Sequence, residues 1–103
     1  NLDVARDFSD VRDVVQAYSR LMADRVAIGQ IFNICSGEAH SLRDVIAMIR
    51  DISGHDFEVT INPSFVRQNE VKMLWGDRSK IDKMTEQGPI HILHDTLKWM
   101  LDQ

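Results

Sequence analysis

Three charged residues stand where they could grip an anion and a diol. Arg67 and Glu70 are three apart in a loop over residues 64–70 that shows neither a helical nor a strand period. Expected strands flank this loop, and loops fixed by such a scaffold commonly carry ligand groups. An arginine fork suits phosphate, and a carboxylate accepts hydrogen bonds from paired sugar hydroxyls, so one loop could read a nucleoside diphosphate and its ribose. A plain surface ion pair is the open alternative. Arg6 has two readings of the same kind. At the end of a strand it could meet an anion in a cleft, or it could join Asp7, Asp10 and Asp13 in a structural network, which composition favours.

The other reactive side chains point to no chemistry of their own. His91 and His94 are spaced to share a helix face, but a metal site needs further ligands and a second shell, so solvent-facing or capping roles are expected for both. His40 and His55 fall in loops without partners identifiable from sequence. Cys35 follows an apolar run, where a thiol behaves as a small hydrophobe. The five methionines are dispersed as core filler. There is no nucleophile elbow, no P-loop and no glycine-rich dinucleotide fingerprint, so no catalytic, metal or cofactor-binding residue is assigned.

Bulk composition bounds the rest. A chain of 103 residues is read as a single domain, 1–103, with one core. Its 44% hydrophobic and 27% charged residues fit an ordinary soluble globular protein. A formal net charge of -4 argues against a general nucleic-acid binder. With one cysteine no internal disulfide can form, and a cytoplasmic setting is the default. No apolar run approaches the roughly 20 residues that span a bilayer, so no membrane partner is expected. Asn1 stands where an initiator methionine would, and residues 1–5 read as the approach to a strand already under way, which suggests a fragment.

The elements that must position these residues alternate along the chain. Residues 2–8 suggest a short strand. From Asp10 the period becomes helical, with Val11, Val14, Val15, Tyr18, Leu21 and Met22 as the apolar stripe, Asp10 as cap and Asp13 in the first turn. Ile31 to Cys35 reads as a buried strand and residues 36–40 as a loop. Ser41-Leu42-Arg43-Asp44 opens a second helix with a capping box. Its buried stripe is Leu42, Val45, Ile46, Ile49 and Ile52, and Gly54 is its left-handed end. Phe57 to Ile61 alternates as a strand, and Val71 to Trp75 is a further short one. A short helix around Ile81 and Met84 follows, Gly88-Pro89 breaks the chain, and a last helix runs from about His91 towards Asp102. The class is α/β or α+β.

Read together, the motifs resemble a known family. Residues 1–18, Ile31-Phe32-Asn33-Ile34-Cys35-Ser36-Gly37, Ser41-Leu42, Arg67-x-x-Glu70-Val71 and Gly76-Asp77-x-Ser79-Lys80 resemble the C-terminal part of extended short-chain dehydrogenase/reductases acting on nucleotide sugars, the GDP-mannose 4,6-dehydratase and NAD-dependent epimerase family. Phe8 and Arg12-Asp13-Val14 depart from the dehydratase pattern and look more like the reductase branch, which converts a GDP-4-keto-6-deoxy-mannose to a GDP-rhamnose-type product. Dehydratase and epimerase remain the alternatives within the family.

The resemblance implies an α/β fold, the C-terminal fragment of a Rossmann-type two-lobed enzyme. Its N-terminal Rossmann lobe, absent here, would hold NAD(P)H and the catalytic Tyr-x-x-x-Lys pair; Tyr18 does not match that pair. Ile31 to Cys35 and the helix after it would pack on that lobe. By the same resemblance Arg67 and Glu70 contact the phosphate and ribose of a GDP-sugar, and Arg6 contacts the nucleotide too. The fragment would bind no cofactor alone, would not be catalytic alone, and the parent would be a homo-oligomer. Arg67-Gln68 replaces the family's Arg-Pro, and Thr85-Glu86-Gln87-Gly88-Pro89 lacks its tryptophan. A free-standing, non-catalytic module binding a nucleotide or a protein is the reading from a different class.

Overall fold

The computed structural model describes residues 2–65, 67, 69–84 and 90–103. Within them short strands and helices alternate: β1 (Ala5–Asp7), α1 (Val11–Ala23), a 3₁₀ turn (Arg25–Ala27), β2 (Ala39–Ser41), α2 (Leu42–Ser53), a second 3₁₀ turn (Pro63–Phe65), α3 (Ser79–Met84) and α4 (Leu93–Leu101). The class is α/β, as expected. The Gly88-Pro89 break and both departures from the family pattern involve residues 68 and 85–89, outside the described set.

β1 is the central element. On one side it pairs antiparallel with β2, with Ala5 opposite Ser41, Arg6 opposite His40 and Asp7 opposite Ala39. On the other it forms one parallel bridge, Ala5 to Met73. There the Ala5 amide donates to the Lys72 carbonyl at 2.7 Å and the Leu74 amide to the Ala5 carbonyl at 3.1 Å. The expected strand over 71–75 thus contracts to a single bridge, and β2 takes up the end of what reads in sequence as a loop. The reason for β2 lies in the helix it feeds. The first amides of a helix lack internal partners; here those of Leu42 and Arg43 donate to the carbonyls of Val4 and Leu2. Docking the start of α2 on the lead-in to β1 draws residues 39–41 alongside.

Both long helices begin as their sequences dictate. Asp10 accepts from the Arg12 amide ahead of α1, and Ser41 accepts from the Asp44 amide ahead of α2. Gly54 closes α2 with φ 70°, where a side chain would be strained. The α2 stripe is half-buried at Val45, Ile46, Ile49 and Ile52, with α4 packed on it, while Leu42 sits nearer solvent. α4 begins at Leu93, later than expected, after Ile92, which offers no side-chain cap.

The α1 stripe is only half used. Ala17 is buried and Val14 and Leu21 are half-buried, but Val11, Val15 and Tyr18 are each 58% exposed and Met22 87%. Two expected strands form no ladder among the described residues: Ile31 to Cys35, where Ile31 is 85% exposed, and Phe57 to Ile61, where Ile61 is 71% exposed. A strand is stable only beside a neighbour that pairs its backbone, and the described chain supplies none for these runs. The buried apolar residues among those described are Val4, Ala5, Ala17 and Ile81. A radius of gyration of 16.5 Å exceeds the roughly 13 Å of a compact 100-residue domain. The smallest extent, 19 Å, is about two helix diameters.

Candidate functional site

The corner from Arg6 to Asp13 holds three aspartates, and each ties down a distant segment. Asp7 accepts four hydrogen bonds: from the Ser36 amide (2.9 Å) and hydroxyl (2.6 Å) on one oxygen, and from the Gly37 (3.0 Å) and Gly76 (3.1 Å) amides on the other. Burial opposes its ionisation, but the Ser36, Gly76 and Gly37 donors outweigh burial and hold the carboxyl below its ordinary pKa. Asp10 has a fully buried side chain and takes two Arg12 nitrogens at 3.0 and 2.7 Å, plus the Thr96 hydroxyl of α4 at 2.7 Å. Hydrogen bonding from Arg12 lowers its pKa far below the carboxylate range despite burial, and the same pairing raises that of Arg12. The Arg12 guanidinium also lies 4.0 Å from the Trp99 ring centre. Asp13 accepts the His91 amide at 2.9 Å and faces His91 Nδ1 at 2.7 Å.

These acids are therefore not partners of Arg6. One Arg6 nitrogen donates to the Ala5 carbonyl at 2.8 Å and another lies 3.8 Å from the Glu70 carboxylate. The structure thus joins two of the three sequence candidates across 64 positions of chain. Arg67 is exposed on the stretch that leads to Glu70. No hydrogen bond or ion pair among the described residues joins it to either partner. Opposite Arg6 stands His40, on β2 rather than in a loop, with Nε2 3.7 Å from the Glu38 carboxylate.

The Arg6–Glu70 pair is long, and each side chain is about 30% exposed (29% and 31%). Pairs of this kind contribute about 0–1 kcal/mol, whereas charge-assisted hydrogen bonds contribute about 1.5–3 kcal/mol. An incoming phosphate can take the guanidinium while hydroxyls take the carboxylate. Met73 and Trp75, half-exposed, line an open depression of about 380 Å³ with Gly37, Glu38 and Ala39; neither Arg6 nor Glu70 lines it. Trp75 was not singled out in the sequence, where it reads as part of a strand.

The remaining candidates have structural surroundings. His91 pairs with Asp13, and His94 Nε2 lies 3.4 Å from Asp51, so the two imidazoles diverge. The sequence reading missed the Asp13–His91 contact, which spans 78 positions. Burial, then the negative charge of Asp7, raises the pKa of the Cys35 thiol. Among the described residues no group of three His, Cys, Asp or Glu is placed to hold a metal. No helix there is long and apolar enough to cross a membrane. Among the described residues the glycines with positive φ lie at 29, 37 and 54, and none of these forms a strand-to-helix phosphate turn.

Residues 1–98 match the family model described as GDP-mannose 4,6 dehydratase. The chain belongs to this family of nucleotide-sugar reductases and dehydratases, in agreement with the resemblance carried by its motifs. GDP-6-deoxy-D-mannose reductase of Pseudomonas aeruginosa is 33% identical over 101 residues, which cover 98% of this chain and 33% of the reductase. A Burkholderia cenocepacia J2315 protein, provisionally described as an epimerase, superposes with TM-score 0.91 at 50% identity, covering 99% of this chain and 33% of that structure. RMD from Pseudomonas aeruginosa, solved with NADPH, superposes with TM-score 0.84 at 29% identity over 99% of this chain and 32% of its own. The chain spans about a third of the length of these relatives.

Proposed function

We propose that residues 1–103 are the substrate-gripping, C-terminal domain of an NAD(P)-dependent nucleotide-sugar reductase. The substrate is GDP-4-keto-6-deoxy-mannose and the product a GDP-rhamnose-type sugar. The observation that carries this reading is the meeting of Arg6 and Glu70 from separate segments in a chain 33% identical to a GDP-6-deoxy-D-mannose reductase. In it Arg6 and Arg67 hold the diphosphate and Glu70 the ribose hydroxyls. A Rossmann lobe N-terminal to these residues holds the nicotinamide cofactor, which supplies the hydride, and provides the proton donor. That lobe rests on the bare face of α1 and beside Ile31 to Cys35. Its support is the exposure of Val11, Val15, Tyr18, Met22 and Ile31, because apolar faces of that extent rarely stay open to water. A cytoplasmic location suits the single cysteine.

Calorimetric titration with GDP tests the grip. Arg6→Ala, Arg67→Ala and Glu70→Ala are each expected to weaken GDP by about tenfold or more, the scale of one lost charge-assisted contact. Unchanged affinity in all three overturns the reading.

A second reading, an epimerase, is favoured by the 50% identity to the Burkholderia protein. The two differ in cofactor balance: a reductase consumes one reduced nicotinamide per product, whereas an epimerase returns the hydride it removes. Following absorbance of the reduced cofactor during turnover by the full-length enzyme separates them.

A further inference from the structure

The segment that carries Glu70 has little to hold it in place. Arg67 and residues 69–75 are all exposed, so core packing does not fix them. Among the described residues their backbone ties to the sheet are the two hydrogen bonds of the Ala5 bridge and, at the far end, the Gly76 amide on the Asp7 carboxylate, with the long Arg6–Glu70 ion pair beside them. Gly76 is also held from behind. A Cβ there would lie 2.5 Å from the Cys35 sulfur and 2.7 Å from the Cys35 Cβ, so the backbone sits directly against the Cys35 side chain. The carboxylate in turn takes both oxygens' donors from the 36–37 turn and residue 76, fixing three segments about one point next to Arg6.

We propose that Asp7 is a positioning residue for the nucleotide grip: by holding Gly76 and the 36–37 turn to β1, it sets Glu70 against Arg6. This rests on the reading of Arg6 and Glu70 as ligand groups. Asparagine cannot replace it, because an amide presents one acceptor oxygen and turns its NH₂ toward backbone N–H groups that already donate.

The test is a double-mutant cycle read by GDP titration, with urea unfolding of each variant alongside. Asp7→Asn and Glu70→Ala are each expected to weaken GDP about tenfold, and the double variant is expected to bind no more weakly than Glu70→Ala alone, because a positioning residue has nothing left to position. Losses that multiply to about a hundredfold overturn the proposal, since a general loss of stability acts whether or not Glu70 is present. So does full GDP affinity in folded Asp7→Asn. If Asp7→Asn fails to fold, Ser36→Ala removes the hydroxyl bond to Asp7, together with two longer bonds to the Glu38 backbone inside the same turn, and about threefold weaker GDP, again absent in the Glu70→Ala background, is expected. Full affinity in Ser36→Ala then overturns the proposal. If none of Arg6→Ala, Arg67→Ala and Glu70→Ala alters GDP affinity, the ligand reading itself falls; weakening by Glu70→Ala with none by Asp7→Asn rejects the positioning role alone.

Discussion

The corner at residues 6–13 and the arm formed by residues 57–65 and 69–75 are built by opposite means. In the corner three carboxylates collect donors from residues 12, 36, 37, 76, 91 and 96, so a few side chains lock segments far apart in sequence. The arm has apolar residues in abundance, yet Val59, Ile61, Phe65, Val71, Met73, Leu74 and Trp75 are exposed, and Phe57, beneath the Arg50 guanidinium, is half-buried. Apolar content alone therefore does not place a segment. Donors and acceptors that must be satisfied out of water specify a geometry where a thin core cannot.

The sharpest way to break this contrast is Asp10→Ala. It leaves the Thr96 hydroxyl and the Arg12 guanidinium without their carboxylate, and a loss of about 3 kcal/mol is expected by urea unfolding. Acid provides the same blow by titration. Asp7 and Asp10 ionise more readily in the folded protein than their ordinary value of 3.8. Their stabilisation is present above that value and lost as protons bind, so stability falls as pH drops below about 4, and less steeply in Asp10→Ala.

Gly76→Ala comes next. The clash with Cys35 is expected to cost about 2 kcal/mol, and Cys35→Ala in the same chain recovers only part of it, because the sulfur leaves but the Cβ of residue 35, 2.7 Å from the new methyl, remains. His91→Ala deletes the ring contact to Asp13 and spares the backbone bond, for an expected loss of about 1 kcal/mol. The smallest effect belongs to the arm. Ile61→Ala should change the urea midpoint by less than the equivalent of about 0.5 kcal/mol, and a larger shift would show that the arm is packed after all.

Local features were legible because local chemistry decides them. Asp10 and Ser41 cap their helices and Gly54 ends one, since each needs only a few residues of context. Long-range pairing was legible only where a motif carried it. Arg6 and Glu70 were each legible as ligand candidates, and the family likeness put both on one nucleotide, but their mutual contact was not expected; Asp13–His91 and Asp10–Thr96 leave no trace in any sequence window. The failed strands at 31–35 and 57–61 show the same limit from the other side. Their residue pattern is that of strands, but pattern specifies a readiness to pair, and the partner must come from elsewhere.

The contact between Cys35 and Gly76 also supplies an internal clock. The thiol is partly covered and disfavoured as a thiolate, so reagents such as iodoacetamide should reach it mainly when the corner opens. Because it is the sole cysteine of the chain, alkylation reports on this one corner alone. Its rate, compared with and without GDP, converts the tightness of the corner into seconds.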